Sequence, residues 1–280
     1  MRVIESCAAC LYRKQTKLTD NAAYLKEIKD IIDNRADDDC APYLAARFND
    51  VYERYFGTRR DYTVEKKRYN DLVLSMENAI RARIAAADDP LAAALLYARI
   101  GNYIDFSALS HVEESTFLGL FDGAALSEAD QKTIRAFAAE CAAAKSFLLI
   151  TDNCGEIVLD KLLIEQLQKQ FPGLSCTVLV RGQNVVNDAT LEDAAYVGID
   201  RVARVIPNGI AAAGTIYKLL SPEARAAVDG ADVILAKGQG NYESLAGQGR
   251  HVFYAFLCKC ELFTTRFGVP SLTGIFLEER

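Results

Sequence analysis

The chain has 280 residues, 51% of them hydrophobic and 25% charged, which is typical of a protein with a packed core and excludes general disorder. The net charge of −6 argues against a nucleic-acid-binding protein, since such proteins usually carry a basic face. Eight cysteines are too sparse for a disulfide-stabilised secreted domain, so reduced thiols are expected. No signal-peptide core and no membrane-length apolar run is present, and a cytoplasmic protein without a membrane partner is therefore predicted.

The first half of the chain, residues 1–140, is predicted to be an all-helical cap domain. Apolar residues recur there at intervals of three and four, as on the buried face of a helix. Asp89 followed by Pro90 predicts an N-cap with proline at the first helical position. Ser127 and Asp130 form the pattern of a capping box before another helix.

The second half, residues 141–280, is predicted to be an α/β domain. A helix is expected after Asn208, and Ser221-Pro222 predicts the start of another. Continuous apolar strands that alternate with helices indicate a parallel sheet covered on both faces. The predicted fold is therefore a three-layer α/β/α, Rossmann-like sheet with an N-terminal helical part. Strands are predicted at 146–151, 175–180, 202–206, 232–236 and 252–257.

Polar residues follow four of these strands at the point where each strand ends. In an open parallel sheet, ligands bind beyond the carboxyl ends of the strands, so these loops are expected to share one site. Asp152, Asn153 and Asp188 offer only oxygen ligands, which suit Mg²⁺ or Mn²⁺ better than zinc. The polar loops are 151–156, 181–190, 207–209 and 237–243.

The same loops contain groups suited to a phosphate. A helix beginning near Gly155 would direct free N–H groups toward it, and Lys237 would add a positive charge. Gly238 and Gly240 would let the backbone approach closely. If each residue is considered alone, the more common interpretation of Asp and Asn is a helix cap, and that of Lys237 is a solvated surface lysine. Their convergence on one sheet edge favours a binding site.

Six short segments carry a resemblance to a known family. They are 7–11 (CAACL), 101–106 (GNYIDF), 151–156 (TDNCGE), 187–190 (NDAT), 237–243 (KGQGNYE) and 259–260 (KC). In this order they resemble the metal-dependent damage-control phosphatases, formerly a domain of unknown function, in their stand-alone microbial branch. The segments span nearly the whole chain, and the Asp-Asn-x-Gly-Glu and Lys-Gly-x-x-Asn-Tyr elements are specific in combination.

The resemblance implies hydrolysis of small phosphate monoesters, including sugar phosphates and damaged or misplaced phosphometabolites. It implies a divalent metal, namely Mg²⁺, Mn²⁺, Co²⁺ or Ni²⁺, with Asp152, Asn153 and Asp188 matching the family's ligands. Lys237 matches a phosphate-binding lysine, and Asn241 of the same motif is assigned to the phosphate with it. The partner is then a small phosphorylated metabolite.

The residues around Asp152 also bear on mechanism. Two positions after Asp152 stands Cys154, where the haloacid-dehalogenase phosphatases would need a second aspartate. A nucleophilic Asp152 stays open, but a metal-activated water is the simpler mechanism, and Glu156 is predicted to orient or deprotonate that water. A methyltransferase is disfavoured because the first loop lacks the Gly-x-Gly needed for a nucleoside cofactor.

Two residues at the end of an Ala-rich helix have two alternative predicted roles. Asn102 and Asp105 either cap the helices around them or close over the pocket and contact the organic part of the substrate.

The cysteine pairs offer a second metal site. Cys7 and Cys10 lie one helical turn apart, and Cys258 and Cys260 would share a face of a strand. Together they could supply the four ligands of a zinc site if the two ends of the chain meet; otherwise they are ordinary packed thiols. A non-enzymatic metabolite-binding protein with a cysteine-based zinc or redox site is therefore the alternative function.

Overall fold

The computed structural model describes residues 1–103 and 119–280; Asp105 lies outside them. The named helices of the first half are α1 (Glu5–Thr16), α2 (Ala22–Asp33), α3 (Ala41–Phe56), α4 (Thr63–Ala86), α5 (Pro90–Gly101) and α6 (Glu128–Ala143). Asp89 caps α5 with Pro90 in the first turn, and Ser127 and Asp130 form the predicted capping box of α6. None of the helices in the described ranges is both long and apolar enough to cross a membrane.

The second half alternates strands and helices and builds one six-stranded sheet. Its order is β3-β2-β1-β4-β5-β6; the first five strands are parallel, and β6 runs antiparallel to β5. The predicted parallel α/β fold is thereby confirmed. The elements are β1 (Ser146–Ile150), α7 (Glu156–Gln170), β2 (Ser175–Val180), α8 (Leu191–Val197), β3 (Arg204–Pro207), α9 (Pro222–Gly230), β4 (Val233–Lys237), α10 (Gln239–Leu245), β5 (Val252–Leu257), α11 (Glu261–Phe267) and β6 (Gly274–Glu279).

The prediction of a helix after Asn208, before the one that begins at Pro222, is wrong. Residues 208–216 form bends and irregular backbone, followed by a single 3₁₀ turn at Tyr217–Leu219. The side chain of Asn208 accepts hydrogen bonds from the backbone N–H groups of Gly182 and Ile210, so it closes a local loop that competes with helix formation. Gly209 adds a positive φ of 83°, which a helix does not accommodate.

The sheet is covered on both faces, as the alternation along β1 shows. Phe147 and Leu149 belong to the core shared with α4, α5, α6 and α7. Leu148 and Ile150 belong to a second core on the opposite face, shared with α9, α10 and α11. Burial of each such side chain contributes about 1.5–3 kcal/mol. Helices α1, α2 and α3 enclose a smaller apolar cluster of their own, and α3 packs on α10.

The topology places the switch point of the sheet between the carboxyl ends of β1 and β4. From β1 the chain continues to β2 and β3 on one side, then crosses to β4 and β5 on the other; ligands bind at this switch point. Asp152 follows β1 and Gly238 follows β4. The two are so close that a Cβ built at Gly238 would lie 2.0 Å from Asp152 Oδ2.

Candidate metal and phosphate site

The three predicted metal ligands meet at the switch point. Asp152 and Asn153 follow β1, and Asp188 lies in the connection between β2 and α8. Asn153 and Asp188 pair in an isolated antiparallel bridge, while the N–H of Ala189 donates to the carbonyl of Asp152 at 2.8 Å. The side chains of Asp152 and Asp188 are 12% and 5% exposed, so both are buried but reachable at their edge.

Two amides brace the carboxylate of Asp152. The Nδ2 of Asn102 donates to Asp152 Oδ2 at 2.8 Å and to Glu156 Oε2 at 3.0 Å. The Nδ2 of Asn153 donates to the same two oxygens at 2.8 and 2.9 Å. Asn102 also accepts the N–H of Leu257 on its Oδ1. The side chain of Asn102 therefore joins the end of α5 to Asp152 and to the end of β5.

Arg181 is the residue that sequence reasoning missed. It is fully buried, and its Nε donates to Asp188 Oδ2 at 2.5 Å while its Nη2 lies 3.4 Å from Asp152 Oδ1. Its Nη1 donates to Asn241 Oδ1 at 3.0 Å and to Thr215 Oγ1 at 3.5 Å. An arginine directly after an apolar strand was the available signal, because a buried cation requires partners. Asn241 is fully buried and accepts from Arg181; its predicted role at a phosphate stays a prediction.

Lys237 occupies a different place from the predicted phosphate-binding lysine. Its ammonium is fully buried and donates to Glu156 Oε1 at 2.7 Å, to Asp160 Oδ1 at 2.7 Å and to the carbonyl of Ala98 at 2.8 Å. All three of its N–H bonds are thus engaged. Burial opposes the charge, but Asp160 and Glu156 raise the pKa of Lys237. Glu156 is also fully buried, and its Oε2 accepts from the two bracing amides while its Oε1 accepts from Lys237. The roles of Lys237 at a phosphate and of Glu156 at a water stay predictions.

The start of α7 is likewise occupied by the protein's own acceptors. The N–H of Gly155 donates to Asn70 Oδ1 at 2.7 Å, and the N–H of Cys154 donates to the carbonyl of Asn187 at 2.8 Å. Asn70 belongs to α4 and is buried. The N–H of Gly155 is therefore occupied by a side chain from the helical half, and the anion site expected there stays a prediction.

The electrostatics of the site fit a divalent cation. Burial, then the charges of Asp188 and Glu156, raise the pKa of Asp152 to about 8, while Arg181 and Lys259 act in the opposite direction. Asp152 and Asp188 share one guanidinium between two carboxylates, so ionisation of both would leave an excess of negative charge that a bound cation would balance. An oxygen-only donor set with excess negative charge suits Mg²⁺ or Mn²⁺, so the residues present fit the implied ion.

The four cysteines do not form a compact ligand group in the part of the chain that the structure describes. The amino terminus does reach the second half of the chain: the terminal amine of Met1 donates to the carbonyl of Glu243, and Arg266 Nη1 lies 3.0 Å from Met1 Sδ. Burial, then Glu243 and Cys260, raise the pKa of Cys7. Cys258 is fully buried at the end of β5. A metal site built from Cys7, Cys10, Cys258 and Cys260 stays a prediction.

A different group of side chains could hold a metal ion. Ligand atoms of Glu140, His251 and Glu278 lie within 4.8 Å of one another. His251 Nε2 is 3.0 Å from Glu278 Oε1, and its Nδ1 is 3.6 Å from Glu140 Oε2. His251 precedes β5, so this group lies at the amino end of that strand, at the opposite edge of the sheet from Asp152. Sequence reasoning could not find it, because the three positions are far apart along the chain.

The fold and the site together define an α/β protein of Rossmann-like topology with an acidic, oxygen-donor site at its switch point. The sequence profile of the damage-control phosphatase ARMT1-like domain matches residues 2–272. The chain therefore belongs to this family, and the resemblance seen in the sequence is confirmed.

The sequences of relatives match nearly the whole chain. It is 29% identical over 284 residues to a damage-control phosphatase of Archaeoglobus fulgidus, covering 96% of each protein. It is 27% identical over 287 residues to a damage-control phosphatase of Pyrococcus horikoshii, covering 97% of this chain and 96% of the relative. The crystal structure of a DUF89 family protein from Pyrococcus horikoshii matches with a TM-score of 0.84 at 22% identity, covering 100% of both chains, which shows a shared fold.

Proposed function

We propose that this protein is a metal-dependent phosphatase that hydrolyses small phosphate monoesters. Sugar phosphates or damaged and misplaced phosphometabolites are the proposed substrates. The observation that carries the proposal is the meeting of Asp152, Asn153 and Asp188 at the switch point, in a chain that matches the damage-control phosphatase domain over residues 2–272.

Asp152, Asn153 and Asp188 are the proposed ligands of Mg²⁺, Mn²⁺, Co²⁺ or Ni²⁺. When bound, such an ion supplies positive charge that polarises phosphoryl oxygens and lowers the pKa of a water nucleophile. The amides of Asn102 and Asn153 hold Asp152 through its Oδ2. Because the carboxylate is already fixed, little reorganisation is needed when the site binds its substrate.

Within this proposal, Lys259 takes the phosphate-binding role first predicted for Lys237. Lys237 has all three N–H bonds engaged in the interior. Lys259 follows β5, is half-buried and is near enough to Asp152 to lower the pKa of that carboxyl. An ammonium beside the carboxylates can bind a phosphoryl group as a point charge.

The proposed activity is tested with p-nitrophenyl phosphate after removal of metal by a chelator and readdition of Mg²⁺, Mn²⁺, Co²⁺ or Ni²⁺ one at a time. We expect turnover only with added metal, and a loss of at least about 100-fold in Asp152→Ala, by analogy with the removal of a single transition-state contact. Asp200→Ala is the matched control, because Asp200 is an exposed aspartate that lies before the amino end of β3, whereas Asp152 follows the carboxyl end of β1. Full activity without metal or in Asp152→Ala would refute the mechanism.

A broad panel of phosphorylated metabolites follows, to identify the substrate class. Absence of turnover on the whole panel, together with stoichiometric zinc that is lost in Cys7→Ser, would instead support the non-enzymatic metabolite-binding protein.

The role of Lys259 is tested separately through phosphate affinity. Lys259→Met should raise the KM for p-nitrophenyl phosphate and weaken competitive inhibition by inorganic phosphate, with little change in melting temperature. Lys145→Met is the matched control, because Lys145 lies before the amino end of β1, at the opposite edge of the sheet from the site. Unchanged inhibition by phosphate in Lys259→Met would remove this residue from the site.

A further inference from the structure

Arg181 connects the two proposed carboxylate ligands to each other. Asp152 follows β1 and Asp188 follows β2, so the two side chains come from separate loops. The guanidinium reaches Asp188 through Nε at 2.5 Å and Asp152 through Nη2 at 3.4 Å. It has no exposed surface, so it cannot touch a substrate without rearrangement. Its planar, fixed set of donors holds partners in defined directions, which a lysine could not do.

Arg181 is itself held by Asn241, a side-chain amide whose hydrogen-bonding groups all have partners. The Oδ1 of Asn241 accepts from Arg181 Nη1 at 3.0 Å and from Thr215 Oγ1 at 2.8 Å. The Nδ2 of Asn241 donates to the carbonyls of Thr151 at 2.9 Å and Lys237 at 2.6 Å. These four contacts use the full hydrogen-bonding capacity of the amide. Asn241 therefore fixes Arg181 relative to the ends of β1 and β4.

We propose that Arg181, anchored by Asn241 and Thr215, is a positioning residue that orients Asp152 and Asp188 and thereby sets the cation affinity of the site. This inference rests on the proposed function. It assigns to Asn241 a role in holding the ligand set and none in touching the phosphate.

Charge and orientation make opposite predictions for the removal of Arg181. A guanidinium beside the ligands repels a divalent cation, so if its charge were all that mattered, its loss would tighten cation binding. If orientation dominates, two buried carboxylates left without their shared donor turn away from each other, and binding weakens. Loss of a residue that orients metal ligands typically costs about 10–100-fold in metal affinity. The sign of the change therefore separates the two roles.

The experiment is a calorimetric titration of the chelator-treated full chain with Mn²⁺ alone. We compare the wild type with Arg181→Lys, which keeps the charge, and Arg181→Met, which removes it. Both should bind Mn²⁺ at least about tenfold more weakly than the wild type. Arg204→Met is the matched control, because Arg204 is a surface arginine paired with Glu223, and it should bind like the wild type.

Thr215→Val keeps the inference testable if the Arg181 variants do not fold. It preserves the shape of a fully buried side chain and removes only the hydroxyl that joins Asn241 and Arg181, so a several-fold weaker Mn²⁺ affinity is expected. Wild-type affinity in Arg181→Lys or Thr215→Val, or tighter binding in Arg181→Met, would overturn the positioning role while leaving the proposed function intact. A wild-type chain that binds neither Mn²⁺ nor, in the same titration, Mg²⁺, Co²⁺ or Ni²⁺ would overturn both.

Discussion

Gly238→Ala should inactivate the site through a single added methyl group. The backbone of Gly238 has φ 80° and ψ 155°, a region essentially restricted to glycine, and an L-residue there costs about 1–3 kcal/mol. The added Cβ would also lie 2.0 Å from Asp152 Oδ2, whereas real Cβ atoms essentially never come closer than 3.0 Å. The carboxylate must therefore move by about 1 Å, and a misplacement of that size can cost about 100-fold in rate.

The control isolates the contact from the backbone strain. Gly57 ends α3 with φ 76°, and a Cβ added there would meet no atom within 4 Å. Gly57→Ala therefore carries a backbone cost of about 1–2 kcal/mol without touching Asp152. Each variant is measured for unfolding in urea, for Mn²⁺ affinity and for metal-dependent turnover. Both should lose stability, but only Gly238→Ala should lose cation affinity and activity. Comparable losses of activity in the two variants, or an active Gly238→Ala, would refute the reasoning.

Three other substitutions test the surroundings of the site. Lys237→Met leaves two buried carboxylates without their cation and should destabilise the fold by about 3–5 kcal/mol in urea unfolding; adding Asp160→Asn should recover part of this. Val186 has a φ of 46° in the turn that precedes Asp188. Val186→Gly should raise the free energy of unfolding by about 0.5–1 kcal/mol, because the backbone strain that it releases exceeds the conformational entropy that glycine adds to the unfolded chain. An unchanged free energy of unfolding would mean that the turn is unstrained. The third substitution concerns Asp193. Burial raises the pKa of its carboxyl, but the hydrogen bond and charge of Lys66 outweigh burial and hold that pKa below its usual value. A carboxyl whose pKa is lowered by folding stabilises the fold fully at a pH above its unfolded-state pKa, and this stabilisation is lost as the pH falls through its folded-state pKa. The penalty of Asp193→Asn in unfolding experiments should therefore shrink below about pH 4. A penalty independent of pH would contradict this.

The sheet could be predicted because its parallel strands are buried on both faces and therefore continuously apolar. The prediction at 252–257 coincides with β5. β6 escaped because it is an antiparallel edge strand in which only Phe276 is buried, so it lacks that pattern. The division into domains 1–140 and 141–280 stays a prediction.

The site was predictable only in part, because sequence indicates where a strand ends but not which way a side chain turns. Asp152, Asn153 and Asp188 converge since their loops share one sheet edge. Lys237 stands at the end of β4, where a surface lysine and a buried one have the same local sequence. Its burial depends on Asp160, which is 77 residues away and fully buried, and no local pattern reveals such a partner.

The helical half contributes directly to the site through two amides. Asn70 of α4 accepts the N–H of Gly155, and Asn102 at the end of α5 donates to Asp152. Any opening that lifts α4 and α5 from the sheet would therefore dismantle the site while the strands remain paired, since proteins open in cooperative units below global unfolding. Hydrogen exchange at the Gly155 amide reports that event directly, because the acceptor that protects this proton is a side chain from the other half of the chain.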